Sequence, residues 1–214
     1  MRILSKLKSF ILLIFLLFLY IFICAHSYVS AVSEDLSNSV FRLHVIANSN
    51  SEEDQSLKLK VRDKLLNYMN NICSSCTTKE EAMQIAQDHK DEFQKVAKQT
   101  IIDSGYDYDV NINIGNYYFP TKNYGDISLP ASFYDALRVE IGSAKGRNWW
   151  CVMFPSLCFI DVSSGVISDE SRENLQNNLD SESYNIISEN TASIKLKFKI
   201  VEFFSEKGFF TAKN

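Results

Sequence analysis

Residues 41–63, FRLHVIANSNSEEDQSLKLKVRD, change their hydrophobic period half-way along. From Phe41 to Ile46 apolar residues alternate with Arg42 and His44, the period-two pattern of a strand with one buried face and one wet face. Asn48, Ser49, Asn50 and Ser51 then offer helix N-caps, and Glu52, Glu53 and Asp54 place carboxylates at the positive end of a helix dipole. Leu57, Val61, Leu65, Met69 and Ile72 follow at helical spacing, so the stretch predicts a short strand feeding an amphipathic helix over residues 52–71.

Working outward, Cys73-Ser74-Ser75-Cys76 marks a break, and Thr78-Lys79-Glu80-Glu81 reads as a capping box opening a second helix. Its buried stripe is Ala82, Ile85, Ala86, Phe93, Val96, Ala97 and Ile101, and Gly105 ends it. Beyond Gly105 the period returns to two, with Tyr106, Tyr108, Val110, Ile112 and Ile114 on one face. Further strands are expected at residues 137–141, 148–154, 158–162 and 194–200, with a polar helix at 169–179. In the 194–200 segment three lysines would face water and blunt a sheet edge. This order of elements predicts an α+β domain: a mainly antiparallel sheet with two consecutive amphipathic helices packed on one face.

The N-terminus carries Arg2, Lys6 and Lys8 before an unbroken apolar run over residues 10–25. Sixteen residues are short of the roughly 20 that cross a bilayer, and small residues around Ser27 and Ala31 offer cleavage sites. Residues 1–31 are therefore expected to be a signal peptide, or an anchor if uncleaved, with a single exported domain over 40–205. Of the 22 Lys and Arg, three lie in this leader, which leaves 19 against 26 Asp and Glu, a net charge of −7 on the exported part. Such a field argues against nucleic acid and anionic membrane surfaces as partners and leaves other proteins.

Candidate chemistries are thin. Cys73 and Cys76 have redox spacing, but they lie between helices where thioredoxin-like pairs follow a strand. With His89 they begin a zinc-finger spacing, yet no histidine stands three to five residues beyond it. There is no G-x-S-x-G elbow, no H-E-x-x-H and no glycine-rich phosphate loop, so neither a metal nor a cofactor is expected. Outside the cell thiols tend to oxidise, and four cysteines allow three pairings. The turn-like Phe154-Pro155-Ser156-Leu157 favours Cys151 with Cys158, leaving Cys73 with Cys76. In GRNWWCVMF, Gly142 and Gly146 lead a tight turn into Trp149 and Trp150, which as neighbours on a strand point to opposite faces, one expected in the core and one at least half exposed.

Residues 41–63, FPTKNYG at 119–125, Leu129-Pro130-Ala131, and LRVEIGSAKGRNWWCVMFPSLCFID at 137–161 together resemble the stage II sporulation protein R family of endospore-forming bacteria. Asn50, where the family usually has Asp, and Ser156, where a second Pro is expected, depart from its pattern. The resemblance implies a signalling protein and not an enzyme. It would be made in the forespore and exported into the space between the two membranes. There it would activate a membrane-embedded aspartic protease that removes the pro-sequence of the sigma-E precursor. The expected partner is the extracytoplasmic region of that protease, and the expected contact surface combines Asn48 and Ser49 with Lys122, Asn123, Tyr124, Arg147, Asn148 and Trp149. An exported thiol oxidoreductase or cell-wall hydrolase is the alternative.

Overall fold

The computed structural model describes residues 2–124, 127–155, 169–179 and 181–188. Helix α1 (Arg2–Ser39) leads into β1 (Phe41–Ile46), followed by α2 (Glu52–Ile72), α3 (Lys79–Asp88) and α4 (Lys90–Asp103). Strands β2 (Val110–Phe119), β3 (Lys122–Tyr124), β4 (Ile127–Leu129), β5 (Ser132–Ile141) and β6 (Asn148–Phe154) come next, then α5 (Asp169–Asn178) and α6 (Ser181–Ser188). The main sheet has the order β2-β5-β1-β6, antiparallel except for the β1–β5 pair, and β3 and β4 form a separate hairpin. The expected α+β class with a mainly antiparallel sheet is what the chain adopts.

Local signals explain most boundaries. Ser51 caps α2 by accepting from the Asp54 N–H, and Thr78 and Glu81 form the reciprocal capping box of α3. The second helix is nevertheless two: His89 ends α3 and starts α4, and its Nδ1 meets the Tyr68 hydroxyl at 2.8 Å. Ala86 and Phe93 flank that break by two helical turns, so the apolar stripe runs through it unchanged. The strand expected from Tyr106 starts at Val110, and the residues of the expected strands at 158–162 and 194–200 lie outside those described. Helix α5 falls where the polar helix was expected.

Within α1 the stretch Lys6–Cys24 is long and apolar enough to cross a membrane, a property shared by signal sequences. Its far end belongs to the domain: Leu36 and Val40 are buried in the same core as β1 and α2. On the helix-bearing face of the sheet, Leu43, Val45, Leu137, Val139 and Ile112 meet Leu57, Val61, Leu65, Phe93 and Ala97 in one cluster.

The other face overturns an expectation. Arg42 and His44 alternate with that core, as predicted, but they are 0% and 4% exposed, not solvated. Strand β1 is covered on both sides because β2 and β5 turn Phe119 and Tyr134 toward it and the β3–β4 hairpin closes over Arg42. The guanidinium carbon lies 4.1 Å from the Phe119 ring centre, 4.7 Å from Tyr134 and 5.9 Å from Tyr124. Arg42 Nη2 donates to the Tyr124 hydroxyl at 2.5 Å and Nε to the Cys151 carbonyl at 3.4 Å, while Nη1 finds no acceptor among the described residues. Burial pushes the Tyr134 phenol up, so it stays a neutral donor, to the Pro130 carbonyl at 2.8 Å, and supplies no counter-charge. Ring faces and neutral oxygens hold this cation, and a desolvated cation–π contact is worth about 2 kcal/mol or more.

Tyr124→Phe removes the oxygen that Arg42 Nη2 donates to and leaves a second buried guanidinium nitrogen unpaired. It should lower the unfolding free energy by about 1–3 kcal/mol in urea denaturation. A change below about 0.5 kcal/mol would contradict the cage as a stabilising unit.

Candidate functional site

The C-terminal end of β1 is where three segments meet. The turn leaving β1 (Ala47 to Asn50) lies against the β5–β6 turn: Gly146 N–H donates to the Ala47 carbonyl at 2.8 Å and Lys145 N–H to the Asn48 carbonyl at 3.2 Å. The Asn48 side chain joins all three. Its Oδ1 accepts from Ser143 N–H at 2.9 Å, and its Nδ2 donates to Asp54 Oδ2 at 2.9 Å in the first turn of α2. Burial pushes the Asp54 carboxyl up, but hydrogen bonds from Ser49, Asn48 and Tyr108 outweigh it and hold it below its ordinary value. Asn50 accepts from the Arg147 N–H through Oδ1 at 2.8 Å. Gly142 takes a φ of +57°, which a side chain would resist, and a Cβ at Gly146 would collide with the Ser49 carbonyl.

This places the expected contact residues in two groups. Asn48, Ser49, Arg147, Asn148 and Trp149 do come together, but Asn48 and Ser49 are spent on the turn: Ser49 Oγ accepts from Ser51 N–H and its carbonyl from Gln55 Nε2. Arg147 and Asn148 are exposed. The hairpin residues lie on the caged face, joined to β6 through Tyr124, whose hydroxyl donates to the Trp150 carbonyl at 3.2 Å. Tyr124 is only 6% exposed, which removes it from the surface, and Asn123 accepts from Ser128 within the hairpin. Lys122 is half-buried.

Both tryptophans are half-buried, one on each face, so neither is the expected core residue. Trp150 stacks on His44 at 3.7 Å between ring centres and meets Phe119 edge-on at 4.7 Å. Trp149 lies under α2 with the Arg62 guanidinium carbon 4.2 Å above its ring. Lys58, one turn earlier on α2, donates to the Arg147 carbonyl at 3.1 Å and to Gln55 Oε1 at 2.7 Å. Lys58 and Arg62 were missed in the sequence because they read as the wet side of an amphipathic helix. Their only signal was the i, i+4 spacing, which puts both on one face.

One of the two expected cysteine pairs is formed. Cys73 and Cys76 are joined, with Cα atoms 5.0 Å apart, whereas Cys151 is a free, buried thiol on β6 and Cys158 lies outside the described residues. The expected Cys151–Cys158 bridge thus falls on a residue outside those described. On β6, Cys151 pairs with Leu43 in the packed core, and its sulfur occupies an apolar position.

The family model "Stage II sporulation protein R (spore_II_R)" matches residues 37–164, which contain β1, the three helices after it and all of the sheet. The chain belongs to the stage II sporulation protein R family. It is also similar to the stage II sporulation protein R of Bacillus subtilis (strain 168), with 35% identity over 130 residues, 61% of this chain and 58% of that protein. The match thus spans less than two thirds of the relative's length. No solved structure matches. Family membership gives the chain a sporulation role, and the matched region includes every residue at the β1 end named above.

At that end sits a titratable group. His44 Nε2 is 2.9 Å from Asn148 Oδ1, and burial, reinforced by the nearby Arg138 and Arg42 and opposed by Asn148, pulls the imidazole down to about 4. The unfolded chain then binds a proton below about pH 6.5 that the folded domain refuses until about pH 4. Stability contributed by neutral His44 is present above pH 6.5 and is lost as pH falls through that window, by up to about 3 kcal/mol. Urea midpoints measured from pH 7 to pH 4 should fall further for the wild type than for His44→Gln. Parallel profiles would contradict a buried neutral imidazole.

Proposed function

We propose that this chain is an exported sporulation signal. In this reading the domain docks, through the β1 end of its sheet, on the extracytoplasmic region of a membrane-embedded aspartic protease in the opposing membrane. Docking favours the protease's active arrangement because the domain binds that state more tightly, and a ligand shifts an equilibrium only by its differential affinity. The protease then removes the pro-sequence from the sigma-E precursor. The observation that carries the reading is membership of the stage II sporulation protein R family over residues 37–164. It is supported by the membrane-length apolar helix at the N-terminus, which suits export from the forespore into the intermembrane space, and by the acidic balance of the rest of the chain.

The Cys73–Cys76 disulfide favours a second reading, an exported thiol oxidoreductase. Its setting weighs against that role, because Cys73 caps the C-terminus of α2, the negative end of the helix dipole, where a thiolate is disfavoured.

Expression of the sigma-E precursor and the receptor protease in a non-sporulating bacterial host, with and without this protein, tests the choice. Precursor shortening only when the protein is present and exported is the expected result, and it should persist when Cys73 and Cys76 are both replaced by serine. Loss of shortening in the double variant, with folding intact, would favour the oxidoreductase. No shortening with the folded, exported wild type would refute the signalling role.

A further inference from the structure

The α2 face that covers Trp149 is cationic on a chain whose overall charge is negative. Lys58 is 4% exposed, and among the described residues neither it nor Arg147 has an acidic group within ion-pair distance. Burial, and with it the like charges of Arg147 and Arg62, pulls the Lys58 amine down. Arg62 gives Nη2 at 2.6 Å and Nε at 2.8 Å to Asp63 Oδ1, and this adjacent carboxylate, 57% exposed against 12% for the Arg62 side chain, is the acidic group at the notch among the described residues. Two donors here are also unfilled. Lys58 has three ammonium protons and two acceptors, and the Trp149 Nε1 is buried without a partner. Holding three cations together against their repulsion, above a buried donor, has a cost that folding alone does not require. An acceptor of negative charge would relieve it.

We infer that the notch formed by Lys58, Arg62, Arg147 and Trp149 is a carboxylate-binding subsite that takes an acidic segment of a protein partner. The inference rests on the docking role proposed above and names the chemistry of the docked surface. Arg147 and Arg62 contact the carboxylates, Lys58 fixes the Arg147 backbone and supplies field from beneath, and Trp149 carries the Arg62 guanidinium on its ring. A local positive spot on a negative protein steers an acidic partner to one place and repels it elsewhere, so it sets orientation more than raw affinity.

A short poly-L-glutamate peptide titrated into the folded, exported domain, followed by intrinsic tryptophan fluorescence, tests this directly. Saturable binding that weakens with added salt is expected, with a loss of about tenfold or more in Arg147→Glu and in Arg62→Gln, and no change in Lys64→Glu, an exposed cation elsewhere on α2. The Arg147 side chain is exposed and its backbone bonds survive substitution, so the variant folds; circular dichroism checks this. Absence of binding, equal weakening by Lys64→Glu, or binding to phosphatidylglycerol vesicles in place of the peptide would each overturn the subsite. In the host-cell assay, precursor shortening with wild type and Arg147→Glu alike would overturn the subsite and leave the signalling role standing. No shortening with the wild type would refute the role, and the peptide titration would still decide the subsite.

Discussion

A guanidinium sealed against a sheet, with no carboxylate beside it among the described residues, constrains everything built around it. Arg42 is held by Phe119, Tyr134 and Tyr124 and by neutral oxygens, and each of these comes from a different place in the chain. The long β2–β5 ladder brings the first two rings to β1, and the β3–β4 hairpin brings the third. Because that roof closes one face while α2, α3 and α4 close the other, β1 is buried along its whole length. Neutral His44 and its Trp150 neighbour follow from the same roof, since an imidazolium there would add a second buried charge beside Arg42.

What remains accessible is the end of β1, and the chain ties its loops there with unusual economy. One side chain, Asn48, links the β1–α2 turn, the β5–β6 turn and the first turn of α2. Helix α1 enters at the other end, through Val40, so a six-residue strand separates the two by about 20 Å. In the proposed role this geometry directs the docking surface away from the membrane that the exported chain has just crossed.

The elements legible in the sequence were those whose signal is local. The N-cap Ser51, the Thr78 capping box, the limits of β6 and the polar helix α5 are written in a few consecutive residues. Burial of Arg42 and His44 was not legible, because alternation says which residues share a face and not what covers it. The three-residue strands β3 and β4 are too short to carry a period, and the break at His89 falls where the apolar stripe is in phase on both sides. Of the expected contact residues, the exposure of Arg147 and Asn148 was legible because a glycine-flanked turn presents them. The burial of Tyr124 was not, since only the folded hairpin reveals that its hydroxyl is committed to Arg42 and Trp150. Lys58 and Arg62 became part of the site only when α2 was placed against β6.

The central claim is that the partner is met at the β1 end of the sheet, and site-specific photocrosslinking in the host that carries the receptor protease tests it most directly. A benzoylphenylalanine placed at Asn50 or Lys145, both exposed at that end, is compared with one at Ile102, exposed on α4. The account predicts crosslinks to the protease from positions 50 and 145 and none from 102. Crosslinks from 102 alone, with the protein exported and folded, would put the contact on the helical face and contradict it.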